Sequence, residues 1–282
     1  MKLIQKDLYP DRIKVVVTDV DGTLLNSQGK LSEFSRKVIK EYLARGGDLI
    51  FATGKLFKTI HPLCREFSLC LKQIAANGAV LVDPLNNHTT VLSQLDTATM
   101  RKIIDILQKQ GIEFVIYEPE RIYFKERNVS STNLDLIVAG GEDPPLSIPD
   151  YTSWNWRHPL KILSFVNRDE TFLEKIVRKE IKEICKQVEI IRTTPYFLEF
   201  LKRGTSKFNA LKVILKEIEV NLTQVVAFGD NENDLELMKK SGIGVAVSNA
   251  SPEVKKVADF ITESNDQNGV ANFIQRFILK ED

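Results

Sequence analysis

The chain reads as α/β: a doubly wound parallel-sheet core built from its two ends, with an α+β block inserted between them. Short β-branched or apolar runs alternate with amphipathic helices from residue 15 to about 76, and again from 206 onward, which is the rhythm of parallel strands joined by helical crossovers. From about 83 to 191 the rhythm changes, and strand candidates follow one another in pairs, as antiparallel strands do. The stretch Val15–Leu24, VVVTDVDGTL, has the composition of a buried strand that breaks into acids. Open α/β sheets bind ligands at that carboxyl edge. The predicted division is 1–82 with 192–282 for the core and 83–191 for the insertion.

Length and charge narrow the classes. At 282 residues two domains are the better prior. The formal net charge is +1 with 27% charged residues, and no basic run of five occurs. Residues 83–191 carry a small net negative charge. No nucleic-acid or anionic-membrane partner is therefore expected. No apolar stretch reaches the length of a membrane span, and MKLIQKDLYPD lacks the apolar core of a signal peptide. Cys64, Cys70 and Cys185 are odd in number and lack metal spacing, so they read as reduced packing thiols in a cytoplasmic protein.

In order, residues 1–12 with Pro10 read as an edge extension without a catalytic role. Asp19 and Asp21 follow the first strand; two apart, they would share a face if the strand continued, and Gly22 lets the chain turn out beyond them. Ser32 is a candidate N-cap for a helix to about Arg45, with Phe34, Val38, Ile39, Tyr42 and Leu43 on one face and Gly46-Gly47 ending it. Leu49–Ala52 is a short buried strand ending in Thr53-Gly54. A helix over about 55–67 and a third parallel strand over Gln73–Ala76, ending in Asn77-Gly78, follow. Val80–Val82 and Thr89–Leu92 flank a turn-rich DPLNN and predict a hairpin. Inside the insertion the pattern predicts helices at about 98–110, 132–138 and 170–186. Strands are predicted at 113–117, 121–124, 161–166, 188–192 and 197–201, with a loop over Gly140–Pro149. The core resumes with a helix over 206–219, a strand over Gln224–Phe228 ending in GDNEND, a helix over 234–240, a strand over Gly244–Val247, a short helix after Pro252, a strand over 260–262 and a last helix from Gly269.

Four polar turns thus end strands of one sheet or lie beside it: Asp19/Asp21, Thr53-Gly54, Lys207 and Asp230–Asp234. Crowded carboxylates repel, and an oxygen-only donor set favours Mg²⁺, which often shares its shell with a substrate phosphate. An Asp can also attack phosphorus. Each feature has a plainer reading: an acidic turn after a strand, a strand-end hydroxyl capping the next helix at Thr53, an exposed Lys at 207, and a helix-capping cluster for GDNEND. Lys207 is an odd cation at a helix start, where the dipole disfavours it unless anions sit opposite.

DVDGT, TGK, Lys207 and GDNEND together, in this order, resemble the haloacid dehalogenase-like (HAD) superfamily, and the insertion looks like the large α/β cap of its Cof-like phosphatase branch. The resemblance covers all but the first dozen residues. It implies a Mg²⁺-dependent hydrolase of a small phosphorylated metabolite, a sugar phosphate or similar phosphomonoester, acting through an aspartyl-phosphate. On that resemblance Asp19 is the nucleophile and Asp21 the general acid and base; Thr53 and Lys207 complete the catalytic set. Thr53, Gly54, Asn77, Lys207 and Asn233 would bind substrate. Asp19, Asp21, Asp230 and Asp234 would form the metal site, Asp234 either as a ligand or as a support for Lys207, with the Val20 or Asp21 carbonyl as a further oxygen. Asn249, in SNASPEV, matches a family stretch near the site.

Two positions depart from the branch: Lys55 stands where Arg is frequent, and Phe208 where Gly is common, either narrowing the entrance or simply packing. Trp154 and Trp156 are either cap core or a substrate platform. The insertion leaves and re-enters near Val80–Asp83 and Arg192–Tyr196, with Gly78 and Pro195 close by, which suits a lid. A phosphotransferase or mutase of the same family, and a non-catalytic binder of a phosphorylated ligand, are the competing functions.

Overall fold

The computed structural model describes residues 13–126, 128–166, 171–184, 186–194 and 196–279. The readings made for residues 1–12, Cys185 and Pro195 lie outside them. The chain divides into two compact units, 1–88 with 206–282, and 89–205. The chain returns to the first unit at Ser206 rather than at 192. The reason is that the strand predicted at 197–201 pairs on both edges inside the second unit's sheet.

In chain order the first unit begins with β1 (Val15–Thr18), α1 (Glu33–Ala44), β2 (Asp48–Phe51), α2 (His61–Glu66), β3 (Gln73–Ala75) and β4 (Val80–Val82). The second unit contains β5 (Thr89–Val91), α3 (Thr97–Lys109), β6 (Phe114–Tyr117), β7 (Ile122–Lys125), α4 (Ser131–Ala139) and β8 (Leu146–Ile148). It continues through β9 (Lys161–Phe165), α5 (Thr171–Ile184), β10 (Val188–Arg192) and β11 (Phe197–Lys202). The first unit then resumes with α6 (Lys207–Glu217), β12 (Val225–Gly229), α7 (Leu235–Lys240), β13 (Ile243–Ala246), α8 (Pro252–Val257), β14 (Phe260–Ile261) and α9 (Gly269–Phe273).

The first unit is built on a five-stranded, all-parallel sheet in the order β14-β13-β12-β1-β2. Val15, Val16 and Val17 of β1 are all fully buried, on alternate faces, as expected of a central strand covered by helices on both sides. Ile50 on β2 and Ala227 on β12 join Val15 and Val17 in one cluster with Leu211 and Ile214 of α6. Ser32 caps α1, its hydroxyl accepting the Ser35 N–H at 3.0 Å.

Three local expectations differ from the structure. The third strand, β3, is not a full member of the parallel sheet: it pairs antiparallel with β4, and it runs beside the end of β2 through a single parallel bridge between Ala52 and Ile74 and a bond from the Phe51 N–H to the Gln73 side chain at 2.8 Å. The helix predicted over 55–67 is a short 3₁₀ turn at Phe57–Thr59 followed by α2, because Pro62 suits only the first turn of a helix and sets where one can start. The Gly140–Pro149 stretch contains β8, which pairs parallel with β7 at the edge of its sheet; flanking prolines hide such a strand in the sequence yet are tolerated at an edge.

The second unit is a six-stranded sheet in the order β10-β11-β9-β6-β7-β8. Met100, Ile103 and Leu107 of α3 and Val177 and Ile181 of α5 pack with Phe114, Ile116, Ile162, Leu198 and Phe200 of the strands. Trp154 and Trp156 lie against this core, half-buried. With Tyr123, Trp154 also lines an open pocket of about 420 Å³ beside Arg121, Arg157 and His158. Trp154 thus packs on the second unit's core and also borders an open pocket. Cys64 is buried, but Cys70 is exposed and is no packing residue.

One close approach ties the fold to the site. Gly78 has φ +89, and a Cβ there would lie 2.2 Å from the carbonyl oxygen of Ser206, at the start of α6. Gly78→Ala should therefore push α6 outward and destabilise the protein, by on the order of 1–3 kcal/mol for the backbone strain alone. Thermal denaturation checks this; an unchanged Tm would mean that the α6 start is not fixed by this contact.

Candidate active site

The order β12-β1-β2 brings the residues after three adjacent strands to one carboxyl edge: Asp230 after β12, Asp19 after β1 and Thr53 after β2. Lys207 is the first residue of α6. Its ammonium is wholly buried, donating to Asp19 Oδ1 at 2.5 Å and to Asp234 Oδ1 at 2.7 Å. The helix dipole opposes a cation there by only about 0.3–1 kcal/mol. Leaving a buried charge unpaired costs about 3–5 kcal/mol. The two carboxylates therefore decide where Lys207 points.

Asp234 is fully engaged. Its second oxygen accepts the backbone N–H groups of Asp230 and Asn231, at 3.0 and 3.2 Å. It folds the GDNEND turn back on itself and holds Lys207. Asp230 receives the Thr23 hydroxyl at 2.9 Å and the Asn231 side-chain amide at 3.2 Å. Gly22 has φ +79, and a Cβ there would come within 2.8 Å of Asp230 Oδ2, so glycine lets the DVDGT turn close on the acid. Asp19, Asp230 and Asp234 each present a carboxylate oxygen within 4.8 Å of the others.

Asp21 is outside that group. β1 stops at Thr18, so the strand alternation that would align Asp21 with Asp19 does not continue. The Asp21 carboxylate instead accepts from Lys55 Nζ at 2.6 Å and is about 45% exposed. As a metal ligand through its side chain Asp21 is displaced from the cluster; as a proton donor or acceptor it is open to solvent. The expected oxygen at Val20 is also corrected: that carbonyl accepts the N–H groups of Leu24 and Leu25, at 3.1 and 2.9 Å, and closes the turn. Among the described residues, the Asp21 carbonyl receives no such donor.

Thr53 and Asn77 meet through the backbone, the Asn77 N–H donating to the Thr53 carbonyl at 3.0 Å, and the Thr53 hydroxyl accepts the Lys55 N–H at 3.1 Å. Asn77 sits in the left-handed region with φ 56, a conformation Asn tolerates, and is buried. Its side-chain oxygen accepts from Asn233 Nδ2 at 2.9 Å, and a Cβ on Gly54 would lie 3.0 Å from the same oxygen. Asn233 Oδ1 is buried with no hydrogen-bond donor among the described residues. Phe208, the position where the family often has Gly, packs into the core of this unit.

The electrostatics are those of an incomplete charge balance. Burial pushes the Asp19 carboxyl well above its usual range; Lys207 opposes this, while Asp234 and Asp230 add to it. Burial, then the charge of Asp234, lifts Asp230 to about 7. Burial alone would depress Lys207, but Asp19 and Asp234 outweigh it and keep the ammonium charged. Three clustered carboxylates face one cation, and the donors are all oxygen. A hard divalent cation fits that deficit. Asp19 and Asp230 offer carboxylate oxygens to it.

A family model described as haloacid dehalogenase-like hydrolase matches residues 16–274. The chain belongs to that family. Among its relatives, the 5-amino-6-(5-phospho-D-ribitylamino)uracil phosphatase YcsE of Bacillus subtilis is 28% identical, over 95% of this chain and 96% of its own. The B. subtilis phosphatase YwpJ is 24% identical, over 94% and 100%. The crystal structure of a haloacid dehalogenase-like hydrolase from Bacteroides thetaiotaomicron superposes with a TM-score of 0.81 at 26% identity, covering 94% of this chain and 99% of that one. The Cof-like resemblance and the α/β fold expected from the sequence agree with these findings. No helix among the described residues is long and apolar enough to cross a membrane.

Sequence reasoning missed Thr23 and Asn265 as parts of the site's framework. Thr23 was visible in DVDGT but had no assigned partner; Asn265 reaches Leu25, 240 positions away, and no local pattern signals it.

Because a cation must displace the proton that burial keeps on Asp230, metal affinity should rise as the pH increases through about 7, and binding below that pH should release protons. Calorimetric titration of the metal-free protein with Mg²⁺, in buffers of different ionisation enthalpy on either side of that pH, measures both. An affinity independent of pH would mean that Asp230 does not hold the ion.

Proposed function

We propose that the protein is a Mg²⁺-dependent phosphatase that hydrolyses a small phosphorylated metabolite, a sugar phosphate or similar phosphomonoester, through an aspartyl-phosphate on Asp19. The observation that carries this reading is the buried Asp19 carboxylate, held by Lys207 at a sheet edge between Asp230 and Thr53. The names of YcsE and YwpJ add support for the reaction class.

In this reading Lys207 fixes one oxygen of Asp19 and leaves the other to attack phosphorus in line. The bond from phosphorus to the ester oxygen breaks, and Asp21 gives its proton to the departing alcohol. Asp21, now a carboxylate, takes a proton from water as the water oxygen attacks the aspartyl-phosphate. The bond to Asp19 then breaks and inorganic phosphate leaves. Lys55 Nζ, 2.6 Å from Asp21 Oδ1, holds that carboxyl group beside the turn. Thr53 and the Gly54 backbone would donate to phosphoryl oxygens, and Asn233 Oδ1 would accept from a bound water or a substrate hydroxyl. Mg²⁺ at Asp19, Asp230 and the Asp21 carbonyl would offset the negative charge that gathers during transfer. The second unit is read as the cap that selects the substrate, and the protein as cytoplasmic.

A panel of phosphomonoesters with Mg²⁺, scored by phosphate release, tests the activity. EDTA should abolish it and Mg²⁺ restore it. Asp19→Asn should remove turnover and leave the melting curve cooperative, because an amide cannot attack phosphorus. Clear hydrolysis by a folded Asp19→Asn protein would refute the nucleophile.

A further inference from the structure

We propose that Asn249 and Asn265 are positioning residues that aim Asp21 for proton transfer, by clamping the backbone on the far side of its turn. This inference rests on the role proposed above for Asp21. Residues 21–25 belong to no regular strand, and Asp21 meets Leu25 only in an isolated bridge. The turn is closed locally by the Val20 carbonyl, but its outer carbonyls are held from a distance. Asn249 Nδ2 donates to the Gly22 carbonyl at 2.7 Å, and Asn265 Nδ2 donates to the Leu25 carbonyl at 2.9 Å.

The two amides are joined to each other, because Asn249 Oδ1 accepts the Asn265 N–H at 3.0 Å. That bond fixes which end of Asn249 faces Gly22, since its oxygen is already taken. Their bases are fixed as well. Asn249 lies in the turn after β13, where the Ser251 N–H holds the Asp230 carbonyl at 2.9 Å, and the Asn265 side chain is buried. The clamp therefore connects the Asp21 turn to the backbone of the acidic cluster.

Downstream, the same segment is tied again, Ser27 N–H to Asp266 and Ser32 Oγ to Asn268. These contacts secure the start of α1. Within the four residues after Asp21, the Thr23 hydroxyl reaches Asp230, and among the described residues the two asparagines are the side chains that hold backbone carbonyls there. A general acid must sit within about 0.5 Å of its productive position. Asp21 is half-exposed, and its side chain is held through Lys55 Nζ at 2.6 Å, at the end of a long aliphatic side chain. Neutral amide donors on the backbone can supply the missing precision at any pH.

The test uses the full chain with Mg²⁺ and two aryl phosphates. p-Nitrophenol leaves without a proton, whereas phenol leaves slowly unless one is supplied. Asn249→Ala, at an exposed side chain, is the primary variant, with Asn265→Ala beside it and Asp21→Asn as reference. Loss of acid–base help costs about 10²- to 10⁴-fold, so Asp21→Asn should lose far more on phenyl phosphate than on p-nitrophenyl phosphate. The asparagine variants should show the same preference at smaller size, about tenfold more loss in kcat/KM on phenyl phosphate. Equal losses on both substrates, or none on either, while Asp21→Asn remains selective, would reduce the clamp to a structural tie and overturn the inference. An unselective Asp21→Asn would instead sink the acid role itself, and the clamp's function with it.

Discussion

A buried ammonium shared by two carboxylates is the constraint on which the site depends. Lys207 Nζ lies between Asp19, from the end of β1, and Asp234, from the turn after β12, with no solvent exposure. Removing the ammonium would leave two buried acids without their cation, a loss far larger than any helix-end effect. Retaining it still leaves negative charge in excess, which is why Asp19 and Asp230 are driven toward their protonated forms. The polypeptide therefore builds a site whose acids are complete only when a further positive charge is present.

Strand order converts this local chemistry into a site. With β1 between β2 and β12, the residues that follow the three strands emerge side by side, and the helix that carries Lys207 is held against Gly78 by a backbone approach that tolerates no Cβ. Asp234 accepts from the ammonium and from the N–H groups of its own turn, while also presenting a carboxylate oxygen to the cluster with Asp19 and Asp230. In the geometry, Asp19, Asp230 and Asp234 cluster, Thr23 bonds Asp230, and the Asp21 carboxylate stands apart, half-exposed and paired with Lys55.

Much of this was legible because it is written in short-range terms. A β-branched run that ends in acids, a Ser that caps a helix and a lysine at a helix start each point to their own structure, and Ser32, Lys207 and the parallel core are where those signals put them. Failures occurred where the outcome depends on something distant. β3 has the composition of a parallel strand, but β4 captured it; β8 was hidden by prolines that matter little at an edge. Asp21 was aligned with Asp19 on the assumption that β1 continued, and the strand ends at Thr18. Asn249 and Asn265 contact residues 227 and 240 positions away, which no window along the chain can register.

The most direct measurement of the central claim is the fate of the phosphoryl group during turnover. A phosphomonoester carrying radiolabelled phosphate, quenched in acid while the enzyme is cycling, should leave label on the protein. Peptide mapping should find it on Asp19, in a linkage cleaved by hydroxylamine as acyl phosphates are. Phosphate release without any protein-bound label, or label on a residue other than Asp19, would contradict the nucleophile and the reading of the Lys207–Asp19 pair built on it.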